Sequence, residues 1–154
     1  MANRFVSRIG NIFCMEIDNE YKCYFQYIAN DRTQLNSSVI RVFKKRYSLK
    51  DNPSMDEIIK DDVLFYAHTV IKIGYLENTW YKVGTHRDVG NISSICFKDR
   101  CFAPYYIWNI NGPFVRVDAP TEEDKKNGLG SVFPHFCIVN KIKYNSFWGE
   151  EGLY

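Results

Sequence analysis

The strongest constraint on the fold is a two-residue alternation of side chains over residues 8–27, near the start of the chain. Successive side chains of a β-strand point to opposite faces of a sheet, so this period predicts two strands and argues against a helix. Asp18 and Asn19 separate the strands and tolerate the positive φ of a tight turn. The sequence therefore predicts a β-hairpin with a half-buried second strand. The aromatic face of that strand comprises Tyr21, Cys23, Phe25 and Tyr27.

Later segments continue the strand pattern and contain one clear helix signal. Residues 39–47 predict a third strand that ends in a basic run, and such charges can protect an exposed sheet edge. Ser54 and Glu57 match a capping box, which satisfies free N–H groups at a helix start, so a short helix is predicted over residues 54–61. Residues 120–130 fit either one helical turn or a surface loop. Hairpins are predicted over residues 65–83 and 92–106, a short strand over 114–118, and one or two strands over 132–144.

The composition supports a β-rich fold. The chain has 154 residues, of which 16% are aromatic, and aromatic side chains favour strands. A chain of this length is expected to form one domain, over residues 1–154, and to bury about two-thirds of its unfolded surface. The predicted fold class is α+β, mostly β. We expect an antiparallel, strongly bent sheet or an SH3-like partial barrel, with one or two short helices.

The net charge and the length of the apolar runs limit the environment and the partners that we expect for this protein. The formal net charge of +2 is too small to indicate a polyanion-binding surface. No apolar run approaches the roughly 18 residues that cross a membrane, so no membrane partner is expected. The first residues do not form the apolar core of a signal peptide, which predicts a cytoplasmic protein. The five cysteines have no framework spacing, and we interpret them as reduced, mostly buried thiols.

No motif assigns a catalytic residue, a cofactor or a metal. A metal site would have to combine Cys96 and Cys101 with His135 and Cys137, and we interpret these thiols as buried small hydrophobic groups instead. An unrecognised Cys/His hydrolase remains an alternative, and it would need one of the few histidines beside a thiol. Those histidines are His68, His86 and His135, of which His86 lies in a polar loop where Asp88 can bond it.

A small nucleic-acid-binding β-barrel module is the other alternative. Residues 44–47 place three basic side chains beside Tyr47, and Lys141 and Lys143 precede Tyr144. Small barrels can stack bases on exposed aromatic rings while basic side chains hold phosphate. The near-neutral net charge argues against nucleic acid as the partner.

The hairpin also carries a family resemblance. Residues 10–13 read G-N-I-F, residues 23–27 read C-Y-F-Q-Y, and residues 39–43 read V-I-R-V-F after a polar gap. This arrangement over residues 8–47 resembles the start of the immunity protein 26 family of bacterial polymorphic toxin systems. Asn11 stands where that family usually has Asp, and the second segment lacks the usual Gly. The resemblance implies a non-enzymatic cytoplasmic protein that neutralises a cognate toxin by direct binding.

Binding of a toxin requires an exposed patch with aromatic anchors and a polar rim. The turns of the middle section are the expected place for such a patch, because the aromatic face of the hairpin is expected to build the core. The candidate partner-binding residues are Trp80, His86, Arg87, Asp88, Arg100, Tyr105 and Trp108.

Overall fold

The computed structural model describes residues 4–100, 104–118, 121–122 and 127–150. Strands β1 (Asn11–Ile17) and β2 (Tyr21–Asp31) form the predicted antiparallel hairpin. Asp18 and Asn19 adopt φ values of 53° and 55° at its turn. The prediction of the hairpin and of its turn geometry is therefore confirmed.

The hairpin lies at the centre of a five-stranded antiparallel sheet. Strands β3 (Ser37–Phe43) and β4 (Val63–His68) extend it on the β2 side, and β5 (Tyr81–Thr85) pairs with β1, giving the order β4-β3-β2-β1-β5. Because β3 pairs with both β2 and β4, residues 44–46 lie beyond an interior strand, and the prediction that they protect a sheet edge is wrong. The sheet does not close into a barrel. The α+β, mostly β class is confirmed.

A second, smaller sheet follows in the chain. Its strands β6 (Cys96–Lys98), β7 (Tyr105–Asn109) and β8 (Val115–Val117) are antiparallel neighbours, and β9 (Gly128–Leu129) pairs in parallel with β6. The β6–β7 pair confirms that a hairpin forms in this region, but the predicted first strand is wrong over residues 92–94, which form a 3-10 turn. Strand β8 confirms the short strand. Cys101, residue 120 and residues 123–126 lie outside the described residues.

The described residues form the α-helices α1 (Met55–Ile59), α2 (Ile71–Leu76) and α3 (His135–Tyr144), and one 3-10 turn at Ile92–Ser94. The predicted cap of α1 is confirmed, since the Ser54 hydroxyl accepts the Glu57 N–H at 3.2 Å. Within the described part of the chain, no helix combines the length and apolar character that a membrane crossing requires.

The prediction of strands over residues 69–75 and 132–144 is wrong. Apolar residues alternate in the first segment, but its buried positions are Ile71 and Gly74, which share one face of α2. In the second segment the buried positions of α3 are Cys137, Ile138 and Ile142, which have helical spacing. The β-branched side chains of the segment favour strands, so the composition predicts the wrong element.

Both faces of β2 are buried, so the prediction of a half-buried strand is also wrong. Phe25 and the rest of its face contact the main core, which includes α2 and α3 residues. Tyr24 lies on the opposite face in a second apolar cluster with Ile58 of α1. The short helix therefore covers a face that the alternation alone would leave to solvent.

A buried carboxylate joins the two sheets. Asp31, at the end of β2, accepts hydrogen bonds at Oδ2 from His68 Nε2 and Trp108 Nε1, both at 2.8 Å. Its Oδ1 accepts the Asn111 N–H at 3.1 Å. These donors come from β4, from β7 and from the turn after β7, so one side chain fixes three segments. Asp31 and His68 have no exposed surface.

The same geometry fixes the protonation state of His68. Nε2 carries a proton because it donates to a carboxylate, and Nδ1 has no hydrogen-bond partner among the described residues. Protonation would place a second, unpaired N–H inside the core. Burial accordingly lowers the pKa of His68, although the hydrogen bond to Asp31 acts in the opposite direction.

Replacing the buried carboxylate should be strongly destabilising. We expect Asp31→Ala to lower the free energy of unfolding by about 3–5 kcal/mol, because the buried His68 and Trp108 donors and the part-buried Asn111 N–H lose their acceptor. Urea unfolding followed by circular dichroism measures this change. The matched control is Asp118→Ala, which removes only the exposed ion pair to Arg116 and should cost less than about 0.5 kcal/mol. Equal losses in the two variants would contradict the role of Asp31.

Stability should also fall in mild acid because of His68. An unfolded chain protonates this residue near its ordinary pKa of about 6.5, whereas the folded chain does not. The unfolded state therefore binds the proton first, and the free energy of unfolding decreases as the pH falls below about 6.5. NMR titration of the imidazole resonances, beside urea unfolding at each pH, checks this prediction. A His68 resonance that titrates at or above pH 6.5 would refute it.

Candidate partner-binding surface

The predicted aromatic anchors are buried rather than exposed. Trp80 is 1% exposed and Trp108 is 2% exposed, and Tyr105 is buried as well. A Cβ added to Gly74 would clash with the Trp80 indole, and a Cβ added to Gly130 would clash with the Trp108 indole. Glycine thus makes room for both rings. The expectation that these three aromatic residues lie on the surface is wrong, because their rings fill the core.

Residues 86–88 form a surface loop that the sheet holds in place. His86 Nδ1 accepts the Asp88 N–H at 3.0 Å, so the protonated Nε2 donates to Asp56 of α1 at 2.7 Å. Beneath the loop, Gln26 Nε2 donates to the His86 carbonyl and Arg41 Nη2 donates to the Asp88 carbonyl, both at 2.9 Å. Burial lowers the pKa of Arg41, whose Nε also donates to Gln26. Several predicted residues are therefore brought together here on a fixed backbone.

The remaining polar candidates differ in their surroundings. Arg87 is exposed, and its side chain makes no hydrogen bond or ion pair within the described residues. Arg100 is half-buried in the β6–β7 connection, where its Nε lies 3.8 Å from Asp99 Oδ2.

The thiols and histidines show no nucleophilic pairing in the described part of the chain. Burial raises the pKa of Cys23 to about 12 and also raises those of Cys14 and Cys137, which disfavours thiolates at neutral pH. His135 Nδ1 lies 2.6 Å from the Thr79 hydroxyl. Across residues 4–100, 104–118, 121–122 and 127–150, no group of three or more histidine, cysteine or acidic residues could hold a metal.

Cations of the same chain cover the aromatic rings of the basic cluster. The Arg46 guanidinium lies 4.3 Å from the Tyr21 ring centroid, and its Nη2 donates to the Ile142 carbonyl of α3. Lys45 covers Tyr47, whose ring is buried, and Lys143 pairs with an aspartate. The structure does bring the two basic segments together. Their rings, however, are occupied, which leaves little aromatic surface for stacked bases.

Sequence reasoning missed a concave region on another side of the molecule. A groove of about 500 Å³ runs between residues 30–38 and the start of α2, and we call it the central groove. A depression of about 460 Å³ adjoins it and shares Asn30 and Arg32. A smaller one, of about 220 Å³, shares Thr69 and Val70 and continues between α2 and α3. Through these shared residues, the two depressions neighbour the central groove.

The central groove is positively charged and has apolar flanks. Of the described residues that line it, only Arg32 and Lys72 are charged, and the others are mainly serine, asparagine and threonine. Val70 and Ile73 on the α2 side are 45% and 48% exposed, and Ile9 lies in the adjoining depression. The sequence does not indicate this groove, because the alternation in α2 predicts a strand and Arg32 lies in a polar turn.

Comparison with protein-family models gives a match. The family model described as Immunity protein 26 matches residues 8–98, from the start of the hairpin to the end of β6. No curated protein and no solved structure matches the chain. The matched region includes the whole five-stranded sheet, α1 and α2, and it extends well beyond the resemblance over residues 8–47. Because the match covers more than half of the chain, the protein belongs to the immunity protein 26 family.

Proposed function

We propose that this protein is an immunity protein that neutralises a cognate bacterial toxin in the cytoplasm by direct, non-enzymatic binding. The observation that carries the proposal is the family match over residues 8–98. Neutralisation by binding requires a rigid, exposed surface that covers or distorts the toxin, and it requires no catalytic group.

The surface chemistry supports a protein partner. Protein interfaces combine an apolar centre with a polar rim. The neighbouring helices α2 and α3 expose Ile73, Leu76 and Phe136, and Ile73 lines the depression that shares Thr69 and Val70 with the central groove. We propose this concave side as the principal contact surface.

The residues proposed from the sequence fall into two groups in this scheme. His86, Arg87, Asp88 and Arg100 remain proposed contacts from the turns. Trp80 and Trp108 are better explained as positioning residues, because Trp80 supports α2 through Gly74 and Trp108 bonds to Asp31. Tyr105 is buried in β7 and would act through packing.

Co-expression and titration test the proposal. Expressing the chain together with the toxin encoded beside its gene should restore growth of the host cells, and the two proteins should co-purify. Purified protein should abolish toxin activity at about one molar equivalent, since a binding protein acts stoichiometrically. A toxin from an unrelated system, which should escape inhibition, is the control. Absence of protection, or complete inhibition at a small fraction of an equivalent, would contradict the proposal.

A further inference from the structure

We propose that the central groove binds an acidic segment of the toxin, with carboxylates paired to Arg32 and Lys72 and an apolar side chain beside Val70 and Ile73. The inference rests on the proposed function, because it names the chemistry of the partner that the immunity protein would recognise.

Hydrogen bonds to the smaller sheet fix one wall of the groove. The Arg32 N–H donates to Asn111 Oδ1 at 2.6 Å, and the side chains of Thr33 and Gln34 both donate to the Gly112 carbonyl. These bonds hold the β2–β3 connection against the turn after β7. The Arg32 backbone is thus fixed, while its guanidinium remains exposed.

The link between β4 and α2 forms the opposite wall. The Thr69 N–H donates to the Ser38 carbonyl at 3.1 Å, and the Thr69 hydroxyl donates to the Phe133 carbonyl at 2.6 Å. Lys72 follows in the first turn of α2. Since both walls are held by hydrogen bonds, the groove exists before any partner binds, which reduces the entropic cost of association.

The charges in the groove have no partners of their own. Among the described residues, no aspartate or glutamate lines it, and neither the Arg32 nor the Lys72 side chain makes a hydrogen bond or ion pair. Several other cations of the chain are paired: Lys143 Nζ lies 2.8 Å from Asp18 Oδ2, and Arg116 Nε lies 2.9 Å from Asp118 Oδ1. A carboxylate-bearing segment supplies the charge that the groove lacks.

The apolar flank selects a protein segment over a simple anion. Val70 and Ile73 are about half exposed, and both line the smaller depression that opens from the groove. A phosphate or a nucleic-acid backbone would leave this surface uncovered. A peptide with an apolar side chain next to its acidic residues would cover both parts at once.

The test uses the full-length protein and the purified toxin domain encoded beside its gene. Their Kd is measured by isothermal titration calorimetry for the natural chain and for the double variant Arg32→Glu/Lys72→Glu. We expect this variant to bind at least about 100-fold more weakly, and Arg32→Ala alone about tenfold more weakly. The natural complex should weaken as salt rises from 50 to 500 mM, and the residual binding of the double variant should depend less on salt.

A matched control separates the groove from net charge. Lys50→Glu/Lys60→Glu makes the same change in charge at two exposed residues outside the groove, and it should leave Kd within about twofold. Circular dichroism and Tm should be unchanged in both double variants, because the altered side chains are exposed. Equal weakening by the two double variants, or none by Arg32→Glu/Lys72→Glu, would overturn the groove proposal and leave the proposed function intact. Failure of the natural chain to bind the toxin domain would overturn both.

Inorganic phosphate and a short single-stranded oligonucleotide are the competitor probes. Neither should displace the toxin domain at concentrations where salt of equal ionic strength does not. Displacement by either, lost in Arg32→Glu/Lys72→Glu, would show an anion site and overturn the assignment to a protein segment.

Discussion

The geometry of the molecule depends on the buried carboxylate of Asp31. A charge without exposed surface is stable only when donors surround it, and here His68, Trp108 and the Asn111 N–H supply them. Satisfying Asp31 therefore requires the ends of β2, β4 and β7 to meet at one point. Apolar packing alone tolerates small displacements between two sheets, whereas these directional bonds define their relative position.

The proposed binding surface is a consequence of that link. Asn111 links the buried carboxylate to the groove wall. Its backbone N–H donates to Asp31, and its side-chain oxygen accepts the Arg32 N–H. The position of the groove wall thus follows from the same bonds that hold the sheets together. The buried tryptophans also hold the framework in place. Trp108 Nε1–H donates to the Asp31 carboxylate, and Trp80 Nε1–H donates to the Ile71 carbonyl and so fixes α2. Aromatic richness in this chain stabilises the framework that presents smaller contact residues.

This division explains how far the sequence predicts the structure. The β1–β2 hairpin and the cap of α1 depend on neighbours within a few residues, so alternation, Asp18-Asn19 and Ser54 identify them. Helix α2 packs its Gly74 against the indole of Trp80, which follows the helix in the chain, and alternation within the segment does not register this contact and predicts the wrong element. The pairing of Asp31 with His68 spans 37 residues and leaves no local pattern. The groove was missed because it requires helix α2 and the Asp31–His68 pairing, and the alternation indicates neither.

The family match and the groove together suggest where recognition and support reside in the chain. Arg32, Lys72 and the apolar face of α2 lie within the matched residues 8–98, whereas Trp108, Asn111 and Gly112 lie beyond them. Under the groove proposal, the matched region supplies the charged and apolar side chains of the central groove, and the region after it supplies bonds that position them. A change in the turn after β7 would thus move the groove wall without altering any side chain that lines the central groove. On this proposal, specificity for a toxin is adjustable at positions outside the groove, because the wall and the carboxylate share Asn111.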